Sequence, residues 1–505
     1  MTKTVNIFLK LIVIILCSLV LLWTVCSFDY LIDMVTTLKF NSFIITIFIM
    51  SIVCYIMPKI FKINSYKLFY QYRYSIMAVL LITQILFVLM TSALAVADTT
   101  GVFESVQGIS APEYFSAYTN NYLYGMYVKG IISIFGANYA VLVQEIINIL
   151  LLDATLLIVP TFLSRYISEK SGYKSFVFLL LTLGINQTIV STYTDYLSIF
   201  TASMIFCFCI KFVNTKLKLY ELLLFGMVIS IGIQFRATSF IFIIGLVVVE
   251  VLALFMGKVK TRKVNYSKLF SIAIIIIGFT IPTGLSSLAK ANQVVHYTPG
   301  QTKSLLYYLD LGLTSTGNNA YELPLGQLQY GVSSEKINDV VKKDLKQRVK
   351  KYTAALAFRK FKQGYQAGDF GWQFERVITE DRLVRNNITR GFIESKAGKF
   401  VRKQTFALNH KFLNYGVLLQ ITYIIVILEV LFALINIGIV NLERDKTVMY
   451  ILVTLFGMFL YFGLFELGRS RYLFSFWPLI VSVSTIPYLK KTRRQYKENL
   501  STEVF

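Results

Sequence analysis

NIFLKLIVIILCSLVLLWTVCSF, residues Asn6 to Phe28, decides the class of fold. A helix of these residues rises about 35 Å at 1.5 Å per residue, enough to cross roughly 30 Å of hydrocarbon. Lys10 is its one charged residue. The run is too long for the apolar core of a secretory signal, and no small-x-small cleavage site follows it. The stretch ending at Cys17 is close to a lipoprotein box, but Leu16 occupies a position that needs a small residue. The expectation is an uncleaved first helix.

Comparable runs recur to the far end, near 42–57, 75–97, 139–162, 175–192, 196–213, 219–235, 238–256, 267–288, 414–438, 447–466 and 471–488, about twelve spans in all. Composition agrees. Of 505 residues, 56% are hydrophobic and 15% charged, where a soluble chain carries roughly a quarter charged. The expected fold class is an all-α polytopic membrane protein.

The formal net charge of +23 would suggest nucleic acid in a soluble chain. Here positive-inside topology and anionic headgroups account for it, so membrane lipids are expected partners and nucleic acid is not. All five cysteines, Cys17, Cys26, Cys54, Cys207 and Cys209, lie in apolar runs. The large loop therefore has no disulfide framework. Cys207-x-Cys209 lacks both the spacing and the His or acidic company of a metal site. With only His296 and His410 in the chain, no metal ligands and no cofactor are expected; a divalent metal is not indicated.

Orientation follows from the short connections. Lys59, Lys62, Lys67 and Arg73 lie in one; Arg165, Lys170 and Lys174 in another; Lys211, Lys216 and Lys218 in a third; Lys258, Lys260, Arg262, Lys263 and Lys268 in a fourth. The tail adds Lys490, Lys491, Arg493 and Arg494. The alternate connections carry little that is basic beyond Arg236, Arg469 and Arg471. Both termini are thus expected in the cytoplasm, with the basic loop at about 289–413 outside, since long loops translocate regardless of charge.

Within that loop, Ser333-Ser334-Glu335 followed by Ile337, Val340, Val341, Leu345 and Val349 reads as a capped amphipathic helix. Its other face carries Lys342, Lys343, Lys346, Lys350 and Lys351. That face suits either an anionic membrane surface or plain solvent. The aromatic run Tyr122 to Phe135 reads as an interfacial helix before the fourth span.

The same topology gathers polar residues on the loop's side. Asp98 ends the third span, Asp195 sits in the turn Thr192-Tyr193-Thr194-Asp195-Tyr196, Arg236 lies in the next outer turn, and Glu466, Arg469 and Arg471 lie in the last. Ionisable groups near a bilayer are costly and usually mark a pathway or a site. Two carboxylates beside several arginines suggest an acid or base next to an anion clamp. Local interfacial pairing, such as Glu466 with Arg469, is the bland alternative. Span interiors hold little charge beyond Glu145, Asp153 and Glu250; Asp153 reads as a buried structural partner or a cavity residue.

These residues resemble the GT-C superfamily of integral-membrane glycosyltransferases, the group that includes protein O-mannosyltransferase-like enzymes. Four segments carry the likeness: Ala97-Asp98-Thr99-Thr100 after a core helix; Tyr118-Thr119-Asn120-Asn121-Tyr122-Leu123-Tyr124 running to Ile134-Phe135-Gly136; Tyr193-Thr194-Asp195-Tyr196; and Glu466-Leu467-Gly468-Arg469-Ser470-Arg471-Tyr472. Leu309-Asp310-Leu311-Gly312-Leu313 with Gly317-Asn318-Asn319-Ala320-Tyr321 is similar to a segment of membrane glycosyltransferases of low-GC Gram-positive bacteria. Two departures stand out: the family's acidic pair is reduced to Asp98, with Glu104 six residues on, and two extra spans precede the core.

The resemblance implies a GT-C-like fold with juxtamembrane helices and one large extracytoplasmic loop. Two N-terminal helices would occupy 1–74, a core with a first outer catalytic loop at 98–138 would occupy 75–288, and the loop domain 289–413. C-terminal helices would fill 414–488, ahead of a basic cytoplasmic tail at 489–505. It further implies inverting transfer from a polyprenyl-phosphate-linked sugar to a glycan, lipid or protein acceptor on the outer face of the cell membrane. Asp98 would be the base. Arg469 and Arg471, with Arg236, would hold the lipid phosphate, while Asp195 and Glu466 would orient the sugar or the arginines. Asn120, Asn121, Tyr193 and Tyr472 would line the substrate. A flippase or transporter for lipid-linked units would place ionisable residues or broken helices near the midplane, and a polysaccharide polymerase would share the large outer loop and outer arginines.

Overall fold

Lipid offers the backbone no water, so each span must close its own hydrogen bonds as a helix. The computed structural model describes residues 2–36, 63–94, 98–256, 266–317, 319–324, 330–370, 379–406, 414–437, 445–465 and 469–487. In chain order the helices begin α1 (Thr2–Thr36), α2 (Ile63–Gln71), α3 (Arg73–Thr91), α4 (Asp98–Val106), α5 (Tyr114–Ala117), α6 (Tyr122–Phe135) and α7 (Ala137–Tyr166). Next come α8 (Glu169–Leu183), α9 (Asp195–Asn214), α10 (Leu219–Phe235), α11 (Phe240–Phe255) and α12 (Tyr266–Ala291). The loop supplies α13 (Leu305–Gly312), α14 (Ser334–Lys351), α15 (Ala354–Tyr365), α16 (Arg390–Glu394) and α17 (Lys396–Thr405). The chain closes with α18 (Asn414–Ile437), α19 (Lys446–Leu464), α20 (Arg471–Phe474) and α21 (Trp477–Val483).

Among the described residues, eight helices are long and apolar enough to cross a membrane: those within α1, α3, α7, α9, α12, α18 and α19, and Ala237–Phe255. Leu219–Phe235 is a shorter apolar helix. The expected span at 42–57 lies outside the described residues. Two further expected spans are not continuous helices. The run at 175–192 stops being α-helical at Leu183, and the one at 471–488 is divided into α20 and α21. The first is interrupted by hydrogen bonding described below; in the second, Pro478 stands in the first turn of α21 and has no N–H to continue the ladder from α20. The third span is also shorter than read. It ends at Thr91, because Ser92 turns extended and Ala93 pairs antiparallel with Leu383, so Asp98 opens a separate helix.

Close helix contact without a hydrophobic drive needs small residues. Gly226 of α10 and Gly278 of α12 supply it: a Cβ on the first would collide with the Ile275 carbonyl, and on the second with that of Leu223. Buried polar side chains tie other helices. Gln84 of α3 donates to Asp153 (3.1 Å) and to the Gly184 carbonyl (2.6 Å), which gives Asp153 a structural role at the end of α8. Glu145 accepts the Ala93 N–H at 3.1 Å, pinning the chain where α3 ends. Glu250 pairs with Lys446 at 3.0 Å.

The loop is locked to the helices by aromatics. Trp23 of α1 donates to the Tyr423 hydroxyl (2.9 Å), which donates to the Tyr365 carbonyl (2.7 Å), and Tyr423 stacks on Trp477. Gly368 packs so closely on the Tyr423 ring that no side chain fits there. At about 52 Å, α1 overreaches a bilayer core, and Asp29 in its last turns pairs with Lys362 of α15. The capped helix expected after Ser333 forms as α14; it buries Ile337 and Val341, whereas Val349 is exposed. The interfacial helix expected at 122–135 is α6, ended by Gly136 at φ 79°.

Candidate functional site

The break after α8 is what presents Asp195. Asn148 of α7 donates to the Ile189 and Ser191 carbonyls (3.1 and 3.0 Å), Asn186 accepts the Thr188 N–H, and the Thr188 and Tyr196 hydroxyls share a hydrogen bond. These contacts satisfy an irregular, buried backbone that a helix would otherwise satisfy itself. Asp195 then lies in the first turn of α9, where the helix dipole favours a carboxylate.

Arg236 follows α10 and reaches across to it. Its guanidinium donates to Asp195 Oδ1 at 2.6 Å, and Arg471 Nε lies 3.5 Å from the same oxygen. All three side chains are buried, and Asp195 Oδ2 has no hydrogen-bond partner among the described residues. Arg236 also bonds the Arg471 carbonyl and Ser475 Oγ. Tyr193 faces the Arg471 guanidinium at 4.8 Å, and Tyr472 faces those of Arg236 and Arg471 at 5.3 and 5.5 Å. Fixed rings in this geometry orient a guanidinium without neutralising it.

Asn121 extends the cluster. Its amide donates to the hydroxyls of Tyr193 and Tyr114, both at 2.8 Å. Asn120 is exposed and accepts from Tyr308 at 3.3 Å. Asp98 is partly exposed and makes no hydrogen bond or ion pair among the described residues. Burial pushes its carboxyl up, opposed by the charges of Arg471, Arg469 and Lys303 and reinforced by that of Asp195. The two aspartates therefore differ: Asp195 is engaged by two arginines, whereas Asp98 pairs with no side chain among the described residues. Arg469 is partly exposed. Glu466 lies outside the described residues.

Sequence reading missed Lys303. It is buried, donates to the Tyr118 hydroxyl at 2.7 Å and that of Tyr307 at 3.4 Å, and lies over both rings at 4.1 and 4.6 Å. Its N–H bonds the Ala117 carbonyl, which clips the loop to the segment leading into α6. The one sequence signal was a lone lysine after Pro299-Gly300 and before the aromatic Leu305–Gly312 stretch.

The loop also braces the arginines. Lys360 donates to the Gly463 and Phe465 carbonyls, Gly312 packs against Phe465, and Ser470 bonds Asp369 at 3.3 Å. Asp310, within the stretch likened to Gram-positive enzymes, is buried 3.2 Å from Arg348, which also holds Asp344 at 2.7 Å. Asp310 thus supports the loop's interior. Among the described residues no group of three or more His, Cys, Asp or Glu side chains is placed to share a metal ion.

Eight long apolar helices and a helical loop built onto them define an integral membrane protein with multiple spans. The chain belongs to the family described as conserved hypothetical integral membrane protein, whose model matches residues 1–491. No curated protein and no solved structure matches the chain.

Proposed function

We propose that this protein is a GT-C-type membrane glycosyltransferase that moves a sugar from a polyprenyl-phosphate donor to a cell-surface glycan, lipid or protein acceptor. One observation carries the reading: a partly exposed carboxylate with no hydrogen bond or ion pair among the described residues, Asp98, lies within the electrostatic reach of Arg469, Arg471 and Lys303, while a second carboxylate, Asp195, holds Arg236 and Arg471 in place. In this reading Asp98 deprotonates the acceptor hydroxyl, whose oxygen attacks the anomeric carbon as the bond to the phosphate oxygen breaks. The configuration inverts, and the phosphate leaves as an anion. Guanidinium groups held before the reaction starts stabilise that charge with little reorganisation. In the same reading Asn120, which is exposed, would meet sugar hydroxyls, and Asn121 would position Tyr193 and Tyr114. The site would face the outside of the cell membrane with both termini in the cytoplasm, as the distribution of Lys and Arg suggests.

The test compares cells carrying the wild-type chain, a deletion or Asp98→Asn at matched expression, with polyprenyl-phosphate sugars and finished surface glycans measured by mass spectrometry. A lipid-linked sugar that accumulates in both mutants, with a residue missing from the glycan, is expected. A defect confined to the deletion would move the base elsewhere or favour transport.

One feature favours that second reading, a flippase for lipid-linked units. The chain between α8 and α9 is irregular and carries buried Asn186, Gln187, Thr188 and Thr192, and interrupted helices recur at transport sites. Loss of a flippase would strand the lipid-linked sugar on the inner leaflet, whereas loss of a transferase would let it accumulate on the outer one.

A further inference from the structure

A separate cleft of about 410 Å³ opens where α3 ends and α7 begins, closed on its other side by the segment from Val384 to Arg390. None of its lining residues belongs to the cluster around Asp195. We propose that this cleft binds the phosphate head of a membrane-resident amphiphile.

Three features argue for it. First, the lining divides by chemistry: Leu94, Phe103, Val141 and Val384 are apolar, while Arg385, Arg390 and Asn138 supply cations and amide donors. That division matches a ligand with a greasy stem and an anionic head, and its volume falls in the range of small-ligand sites, roughly 300–1,000 Å³.

Second, the cationic wall is built rather than loose. Asn386 Oδ1 accepts the Ile388 and Thr389 N–H groups, its amide reaches the Asn138 carbonyl at 3.3 Å, and Thr389 Oγ1 donates to the Val384 carbonyl at 2.6 Å. The same segment is zipped to the end of α3 through Val384 N–H to Ser92 and Leu94 N–H to Arg382. The fixed backbone holds both arginines at the cleft, and a planar guanidinium matches phosphate in two-point contact.

Third, positive charge is left over. Glu380 is shared between Arg385 (2.6 Å) and Arg402 (3.2 Å), and Arg390 makes no side-chain hydrogen bond or ion pair among the described residues. Of the two guanidiniums that line the cleft, Arg385 is paired with Glu380 and Arg390 is not, which leaves one positive charge in the lining. Exposed Ile388 adjoins the lining residue Asn387 in the chain, so apolar and cationic surface are neighbours there. A soluble anion would gain nothing from that combination; a lipid phosphate would gain from both parts.

Two sources share this chemistry, a glycerophospholipid and an isoprenoid phosphate, and one titration separates them. The purified full-length chain in detergent is titrated with phosphatidylglycerol, with undecaprenyl phosphate and with undecaprenol, which lacks the phosphate, and bound lipid is counted by native mass spectrometry. Wild type is expected to bind at least one phosphate-bearing lipid about tenfold or more tightly than undecaprenol; the preferred one names the source. Arg385→Ala with Arg390→Ala should abolish that preference. Arg390→Glu, which leaves the Arg385–Glu380 pair intact, should weaken it with an unchanged unfolding temperature. Equal binding of undecaprenol and both phosphate lipids by wild type, or an undiminished preference in the variants, would overturn the proposal.

Discussion

Arg236 and Asp195, 41 positions apart in the chain, meet at 2.6 Å in a buried pair that also takes in Arg471 at 3.5 Å. One carboxylate between two guanidiniums leaves one positive charge in excess. The pair is therefore a structural joint between α9, α10 and α20 that carries net positive charge.

Breaking that joint from one side strands a buried charge. Asp195→Ala is expected to destabilise the protein by roughly 3–5 kcal/mol, and Arg236→Ala comparably, read as a lowered thermal unfolding midpoint in detergent. Asp195→Asn combined with Arg236→Gln should recover part of the loss. Single variants that unfold like wild type would show that the pair carries no structural weight.

Asp98 makes a pH prediction. Burial raises its carboxyl above the ordinary aspartate value, so transfer should fall as pH drops through a point above the usual range near 4. Arg469→Gln removes an opposing cation and should move that acid limb to higher pH. The sign for stability is opposite to that of a paired carboxylate. A raised acid costs stability as pH rises from its unfolded value through its folded one, so Asp98→Asn should unfold no earlier than wild type at pH 7. A less stable Asp98→Asn would argue for a structural aspartate.

Asp310 carries the same sign inside the loop, where burial and the neighbouring Asp344 push it up to about 7. Loop stability should decline between pH 4 and that value. Asp310→Asn should flatten the decline, as followed by hydrogen exchange of α13 and α14. A pH-independent wild-type loop would contradict this.

The α10–α12 contact depends on Gly226 and Gly278, which meet backbone carbonyls of the opposite helix. Gly278→Val should cost on the order of 1–3 kcal/mol by forcing the helices apart. Gly284→Val on the same helix meets open space and should be nearly neutral. Equal effects at both positions would remove the packing argument.

How far the sequence revealed this arrangement depended on the range of the interactions involved. Hydropathy over about twenty residues located the long helices, and the local pattern from Ser333 located α14, because both are encoded within the segment. The convergence of Asp195, Arg236 and Arg471 was also legible, since alternating spans put all three at one end. The break after Leu183 was not, since the backbone carbonyls of Ile189 and Ser191 are satisfied by Asn148, some forty positions away. The early end of α3 likewise depends on Leu383 in the distant loop. Lys303 was hidden for the same reason: its partners Tyr118 and Tyr307 straddle the chain from the core to the loop.

The most direct test uses purified protein in lipid nanodiscs, given the polyprenyl-phosphate sugar that accumulates in deletion cells and an acceptor extract from the same cells. Release of polyprenyl phosphate and the anomeric configuration of the product are followed together. Wild type is expected to transfer with inversion, and Asp98→Asn to bind the donor without turning it over. Transfer by Asp98→Asn at the wild-type rate, or retention of configuration, would contradict the account.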